Sequence, residues 1–293
     1  MNKSIAFRVD GSSYIGAGHV VRCLTLARAL SDIGFHIHFF TIGYEDYILR
    51  LIKEKSFELS VLPDIGIECL SDNQPVSESK QILDVENCLS YIEFMSVFEF
   101  VIIDNYRFGS SWEIGFSKFA KRIVVLDDLS NRPHKCDFLI DQTYGVTMSN
   151  YRNLLDENCR LLSGTEYALL RPEFLAYVET SKLKRKNTEK VNSILICFGG
   201  GEFTEHIKAS LKALDKINFN GEVNVVISKS NDNLTSYISI SNFSFSLNVN
   251  VDVKDMPLAI LNSDISIGAF GTMSWERCCL GLPSLSMILS LNQ

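Results

Sequence analysis

The feature that most limits what this chain can fold into is the stretch Gly16-Ala17-Gly18-His19-Val20-Val21-Arg22-Cys23. An apolar run from Ile5 to Asp10 precedes it, and Val20, Leu24, Ala27 and Leu30 recur after it at helical spacing. A strand passes this quickly into a helix only through a tight turn, which the glycines flanking Ala17 allow by adopting positive φ. Gly34 and the strand-like His36-Ile37-His38-Phe39-Phe40 then complete a β-α-β unit, which at this length implies a parallel sheet with a right-handed crossover. The turn delivers His19 to the first turn of the helix. There the positive end of the helix dipole disfavours an imidazolium, and a neutral imidazole can act as a general base.

The alternation continues downstream. Helix is expected at Tyr47–Lys55, Gln81–Met95 and Ser110–Ala120, and strand at Glu58–Leu62, Phe100–Asp104, Arg122–Leu126 and Phe138–Asp141. Residues 64–80 read as a polar surface excursion. Residues 180–190 are a charged break with no apolar period and read as an interdomain linker. Beyond it the strands Ser193–Phe198, Val223–Ser228, Ser244–Leu247 and Ile265–Gly268 alternate with helices 204–216, Met256–Asn262 and Thr272–Leu280. Gly281 and Pro283 close the last helix. The expectation is an α/β protein of two doubly wound, Rossmann-like domains, 1–180 and 190–293, with a cleft between them. The second domain is short for this architecture, and a missing C-terminal end is expected.

A formal charge of −7 over 293 residues argues against a nucleic-acid partner but leaves room for a small anion held by local N–H groups. No apolar run approaches ~18 residues, so no membrane association is expected. Eight cysteines without a C-x-x-C spacing suit free thiols in a cytoplasmic protein. No metal-ligand cluster is evident, no cofactor is expected, and a monomer is the expected state.

Chemistry-bearing candidates gather where strands end. Asp10, after the first strand, either orients His19, binds a sugar hydroxyl or caps a nearby turn. Arg22 lies on the His19 face of the helix and meets either a phosphate or a neighbouring carboxylate. Tyr106 either hydrogen-bonds a sugar or is a loop aromatic. In the second half, Ser266-Ile267-Gly268-Ala269-Phe270-Gly271-Thr272 runs from strand through glycine into a helix that Thr272 is placed to cap. The N–H groups at that helix start suit a phosphate, and Glu276, one turn further, suits ribose hydroxyls. Glu276 in a surface ion pair is the plainer alternative. Gly199-Gly200-Gly201 is either a second close-approach loop or a flexible turn. His134 has no assignable role, and His36 and His38 look structural.

Several stretches resemble the UDP-sugar hydrolases of pseudaminic acid biosynthesis. They are Arg8-Val9-Asp10 with Ile15 to Leu24, Ile103-Asp104-Asn105-Tyr106 with Trp112-Glu113, and Asp127-Asp128-Leu129 with Arg132 to Asp137. Asp141-Gln142, Tyr167 to Phe174, Ser274 to Pro283 and Asn292-Gln293 complete the set, in order. The resemblance implies a glycosyltransferase-B-like fold, similar to the lipid-linked peptidoglycan N-acetylglucosaminyltransferase. It implies hydrolysis of a UDP-linked diacetamido-trideoxy-altrose to UDP and the free sugar. His19 would be the base, with Asp10, Gly18, Arg22, Tyr106 and Asn292 toward the sugar. Gly199, Gly200, Gly271, Thr272 and Glu276 would hold UDP. The chain departs from the family pattern at Gly201-Glu202, where the family usually has Asp, and at Phe270, which replaces a glycine. The family also continues past the Asn-Gln pair with a further helix. A glycosyltransferase of the same fold and a non-catalytic nucleotide-sugar-binding protein are the alternative readings.

Overall fold

A computed structural model of the chain describes residues 3–12, 14–68, 74–92, 97–200, 202–227, 234, 237 and 241–288. The chain divides into two compact units, Met1–Leu169 and Leu170–Gln293.

Unit 1 carries β1 (Ser4–Val9), α1 (Gly18–Asp32), β2 (His36–Ile42), α2 (Asp46–Lys53), β3 (Glu58–Leu62) and α3 (Glu78–Leu89). It continues with β4 (Phe100–Asp104), α4 (Ser110–Phe116), β5 (Ile123–Leu126), β6 (Phe138–Asp141) and β7 (Arg160–Ser163). The sheet runs β3-β2-β1-β4-β5-β6-β7 and its strand pairs are parallel. Helices cover both faces of such a sheet, so its strands read as apolar almost throughout. The two-residue side-chain period still sorts β1. Ile5, Phe7 and Val9 pack with Val20 and Leu24 of α1 and with Ile48 and Ile52 of α2. Ala6 faces the opposite layer, which holds Val85 of α3 and Trp112 and Phe116 of α4. The same alternation carries Arg8 into that second layer, where it lies fully buried against Asp84 of α3. Strand order reverses between β1 and β4, and ligands of open α/β sheets bind beyond the carboxyl ends of strands at such a point.

Unit 2 contains α5 (Val178–Asn187), β8 (Ser193–Cys197), α6 (Thr204–Lys216), β9 (Glu222–Ile227) and β10 (Ser246–Val251). Then come α7 (Met256–Asn262), β11 (Ile265–Ala269), α8 (Thr272–Cys279) and β12 (Ser284–Met287). Its sheet order is β10-β9-β8-β11-β12, again with parallel pairs, so the reversal falls between β8 and β11. Ile207, Leu211 and Leu214 of α6 pack on one face. Phe174, Ile260 and Leu280 pack on the other.

The charged segment 180–190 is not an open linker. Most of it is α5, and the division between units falls ahead of it, at Leu169 and Leu170. Lys184 donates to the carbonyl of Leu261 at 2.9 Å, and Arg185 donates to the carbonyls of Ile260 at 2.9 Å and of Ser263. Ser181 donates to the Leu280 carbonyl at 2.6 Å. These carbonyls belong to the C-terminal ends of α7 and α8, where the negative end of the helix dipole attracts cations. A helix that docks through its polar side chains shows no apolar period. The strand expected at Ser244–Leu247 lies at Ser246–Val251.

Candidate functional site

At the unit 1 switch point the turn after β1 runs through Gly16, whose φ of +88° a side chain would strain, into α1 at Gly18. Parallel register sets Val9 of β1 beside Asp104, the last residue of β4. Asp104 is buried, and three groups converge on it. His19 Nδ1 lies 2.6 Å from its Oδ1, Arg22 Nε donates to Oδ2 at 2.6 Å, and Arg22 Nη2 donates to Oδ1 at 2.7 Å. Arg22 Nη1 also reaches Asp128 at 3.2 Å, and the Tyr106 hydroxyl donates to the other Asp128 oxygen. The Tyr106 ring packs edge-on against His19, with centroids 4.7 Å apart. A small cavity of about 10 Å³ opens beside Arg22 and Asp128, against Ile140, Gln142 and Leu169.

Burial works against a charged Asp104, but the Arg22 guanidinium and then His19 outweigh it and hold its carboxyl below the usual range. Burial and the Asp128 carboxylate push the Tyr106 phenol up, so it stays protonated and donates. A carboxylate 2.6 Å from Nδ1 requires the proton on Nδ1. The basic lone pair of the neutral ring is then on Nε2, which has no hydrogen-bond partner among the described residues. With 15 % of its side chain exposed, the ring has a wet edge. The arrangement is that of an oriented base: a buried carboxylate sets the tautomer and leaves the distal nitrogen to take a proton.

Asp10 does not orient His19. It is 3 % exposed and fully engaged elsewhere, taking Arg8 at 2.6 Å, the Ile42 amide at 2.8 Å and Asn105 at 2.8 Å. Charge explains the difference, because Arg8 is buried directly behind Asp10 and claims it. For Arg22 the structure shows the carboxylate partner. Asp104 and Asp128, the residues that organise the cluster, were not among the sequence-derived candidates. Their only local signal is an acid at the carboxyl end of a buried apolar strand, Val101-Ile102-Ile103-Asp104 and Val124-Val125-Leu126-Asp127-Asp128.

His134 lies in a separate buried network. Its Nδ1 is 2.6 Å from Glu113, its Nε2 faces Asp127 at 3.8 Å, and Arg132 is 2.7 Å from Asp127. Burial would lower its pKa, but Asp127 and Glu113 together raise it to about 9. His38 is also buried and bonds Ser60 at 2.8 Å.

In unit 2, Gly199 follows β8 with φ of +108°, Gly200 is next, and Gly271 precedes α8 with φ of +142°. Gly271 itself occupies the cap position. Thr272 is the first helical residue and makes no capping bond, a correction to the expected cap that follows from glycine alone tolerating that φ. Phe270 presents its ring to the surface. Glu276 is buried rather than on the surface, and its Oε1 accepts from Arg171 Nε at 3.1 Å and Nη2 at 2.8 Å. Burial raises its carboxyl despite Arg171. Asn292 and Gly201 lie outside the described residues. No group of three or more His, Cys, Asp or Glu side chains among the described residues is arranged to hold a metal ion. No described helix is long and apolar enough to cross a membrane.

Two parallel sheets of this kind give two Rossmann-like domains, a glycosyltransferase-B-like fold. Solved structures agree on that fold. MurG of Acinetobacter baumannii superposes with a TM-score of 0.66 over 99 % of this chain and 79 % of its own, at 12 % identity. The UDP complex of LpCGTa gives 0.62 over 98 % and 80 %, at 13 % identity. UDP-GlcNAc 2-epimerase of Methanocaldococcus jannaschii gives 0.56 over 97 % and 83 %, at 12 % identity. In sequence, the chain is 29 % identical over 235 residues to the UDP-2,4-diacetamido-2,4,6-trideoxy-beta-L-altropyranose hydrolase of Campylobacter jejuni, covering 78 % of this chain and 71 % of that protein. That relative supports the family resemblance carried by the motifs. An uncharacterised protein of Methanocaldococcus jannaschii, MJ1062, is 25 % identical over 285 residues, which is 95 % of this chain. The chain spans about half of that relative's length, 54 %. No family model matches.

Proposed function

We propose that this chain hydrolyses a UDP-linked diacetamido-trideoxy sugar, releasing UDP and the free 2,4-diacetamido-2,4,6-trideoxy-L-altrose for pseudaminic acid synthesis. The observation that carries this reading is the His19–Asp104 pair at the switch point of unit 1, with no partner on Nε2 among the described residues. Water attacks the anomeric carbon while Nε2 takes its proton. The C–O bond to UDP breaks, and its electron pair leaves on the β-phosphate oxygen. Unit 1 supplies the base, with Arg22 and Tyr106 beside it. Gly18 holds the backbone at the entry to α1. Unit 2 supplies the nucleotide site through Gly199, Gly200, Gly271, Thr272 and Glu276, with helix N–H groups meeting the charge that grows on the leaving phosphate. Asn292 is proposed to reach the sugar. No metal or cofactor is part of this scheme, and the protein is proposed to act in the cytoplasm. The kinship with the Campylobacter jejuni hydrolase supports the choice of substrate.

The test is incubation of the protein with the UDP-sugar in ¹⁸O-water, without any acceptor, following the anomeric proton by NMR. The expected result is free sugar carrying the label. Label in UDP would mean P–O cleavage, and no free sugar would favour a transferase or a binding protein.

A further inference from the structure

Arg277 sits in the last turn of α8 yet points back beneath the first. Its Nη2 donates to the Ala269 carbonyl at 2.7 Å and to Ser274 Oγ at 3.0 Å. Nη2 also lies 3.4 Å from Ser286 Oγ of β12. The residue is 2 % exposed, and Nε and Nη1 have no hydrogen-bond partner among the described residues. No carboxylate among them lies within ion-pair distance of it; the adjacent Glu276 is bound to Arg171 and acts on Arg277 only through space. The fold makes room for this guanidinium. A Cβ at Gly268 would fall 2.6 Å from Arg277 Nη1 and 2.1 Å from the Cys197 carbonyl, so that position admits only glycine. Burial disfavours the charge and pushes the pKa of Arg277 down.

A buried cation without a counter-ion is unfavourable, and removing either member of a buried pair leaves this kind of charge behind. Here a cation with no carboxylate in contact lies one hydrogen bond from Ser274, in the first turn of a helix whose N-terminal amides already favour an anion. We infer that Arg277 is the buried counter-charge for the diphosphate of the nucleotide, setting the preference of unit 2 for UDP over uncharged uridine. It acts through its field from below the helix start while the backbone amides make the contacts. The inference rests on the nucleotide-binding reading above. It adds a residue outside the glycine turns and outside Glu276.

The experiment is calorimetric titration of uridine and UDP into the wild-type chain, Arg277→Gln and Arg277→Lys. Glutamine keeps a donor for the Ala269 carbonyl without the charge, and lysine keeps the charge. The expected result is a loss of about tenfold in the UDP-to-uridine affinity ratio for the glutamine variant. Uridine affinity itself should hold within about twofold, and the lysine variant should stay near the wild-type ratio. A glutamine variant with an unchanged ratio overturns the inference, as does a lysine variant that loses the ratio equally. A glutamine variant that does not fold marks Arg277 as structural and also overturns it. A wild-type chain that binds no UDP sinks the nucleotide reading itself, whereas UDP binding that is indifferent to Arg277 sinks this inference alone.

Discussion

His19 Nδ1 lies 2.6 Å from Asp104 Oδ1, across 85 residues of chain. Arg22 holds the same carboxylate from its other side, so the imidazole is oriented by a group that is itself pinned. Removing the ring and removing its anchor therefore have different consequences. His19→Ala is expected to lower turnover by about 10²–10⁴-fold. UDP affinity should be nearly unchanged, since the proposed nucleotide site lies in unit 2. Steady-state rates together with UDP titration check both halves.

Asp104→Asn is expected to lower turnover and also to weaken the fold. The amide no longer enforces the Nδ1–H tautomer, and buried Arg22 loses its main counter-charge. Breaking a buried pair from one side costs about 3–5 kcal/mol. Urea unfolding of the variant beside His19→Ala separates the effects, because only Asp104→Asn should show a large midpoint shift.

Stability should depend on pH through the His134 network. His134 has a folded pKa of about 9, above its unfolded value. Its contribution is complete below about pH 6.5 and is lost as pH rises toward 9, amounting to at most about 3 kcal/mol. Asp127 is held at about 2, burial being outweighed by His134 and Arg132, so its contribution is present above about pH 4 and fades as pH falls toward 2. Denaturation midpoints measured from pH 3 to 10 should peak between these limits. His134→Gln should flatten the alkaline side.

Glu276→Gln is expected to weaken UDP binding by about tenfold, the loss of one charged acceptor for ribose hydroxyls. Equal affinity for UDP in the variant would assign Glu276 to its Arg171 pair alone. Titration calorimetry decides between the two.

Arg185→Ala should destabilise unit 2 by about 1–3 kcal/mol, because the end carbonyl of α7 at Ile260 and that of Ser263 lose a charged donor. UDP affinity of the folded protein should not move. Urea midpoints and a UDP titration on the same sample test this.

Much of the architecture was legible along the chain. Alternating and helical apolar periods, punctuated by glycine, placed β1, α1, β3, β4, β6, α6 and α7 within a few residues, and two β-α-β runs implied two parallel sheets. His19, Tyr106, Gly271 and Glu276 were legible as strand-end or helix-start residues. Periodicity reports only what one element does to its own neighbours. The pairing of His19 with Asp104 rather than Asp10 was decided by the register of β1 against β4 and by Arg8 buried behind Asp10. Helix α5 escaped notice because polar caps on other helices, not an apolar stripe, hold it down. The charge of His134 and the burial of Arg277 likewise arise from groups distant in sequence meeting in a poorly solvated interior, where burial and nearby charge set the balance.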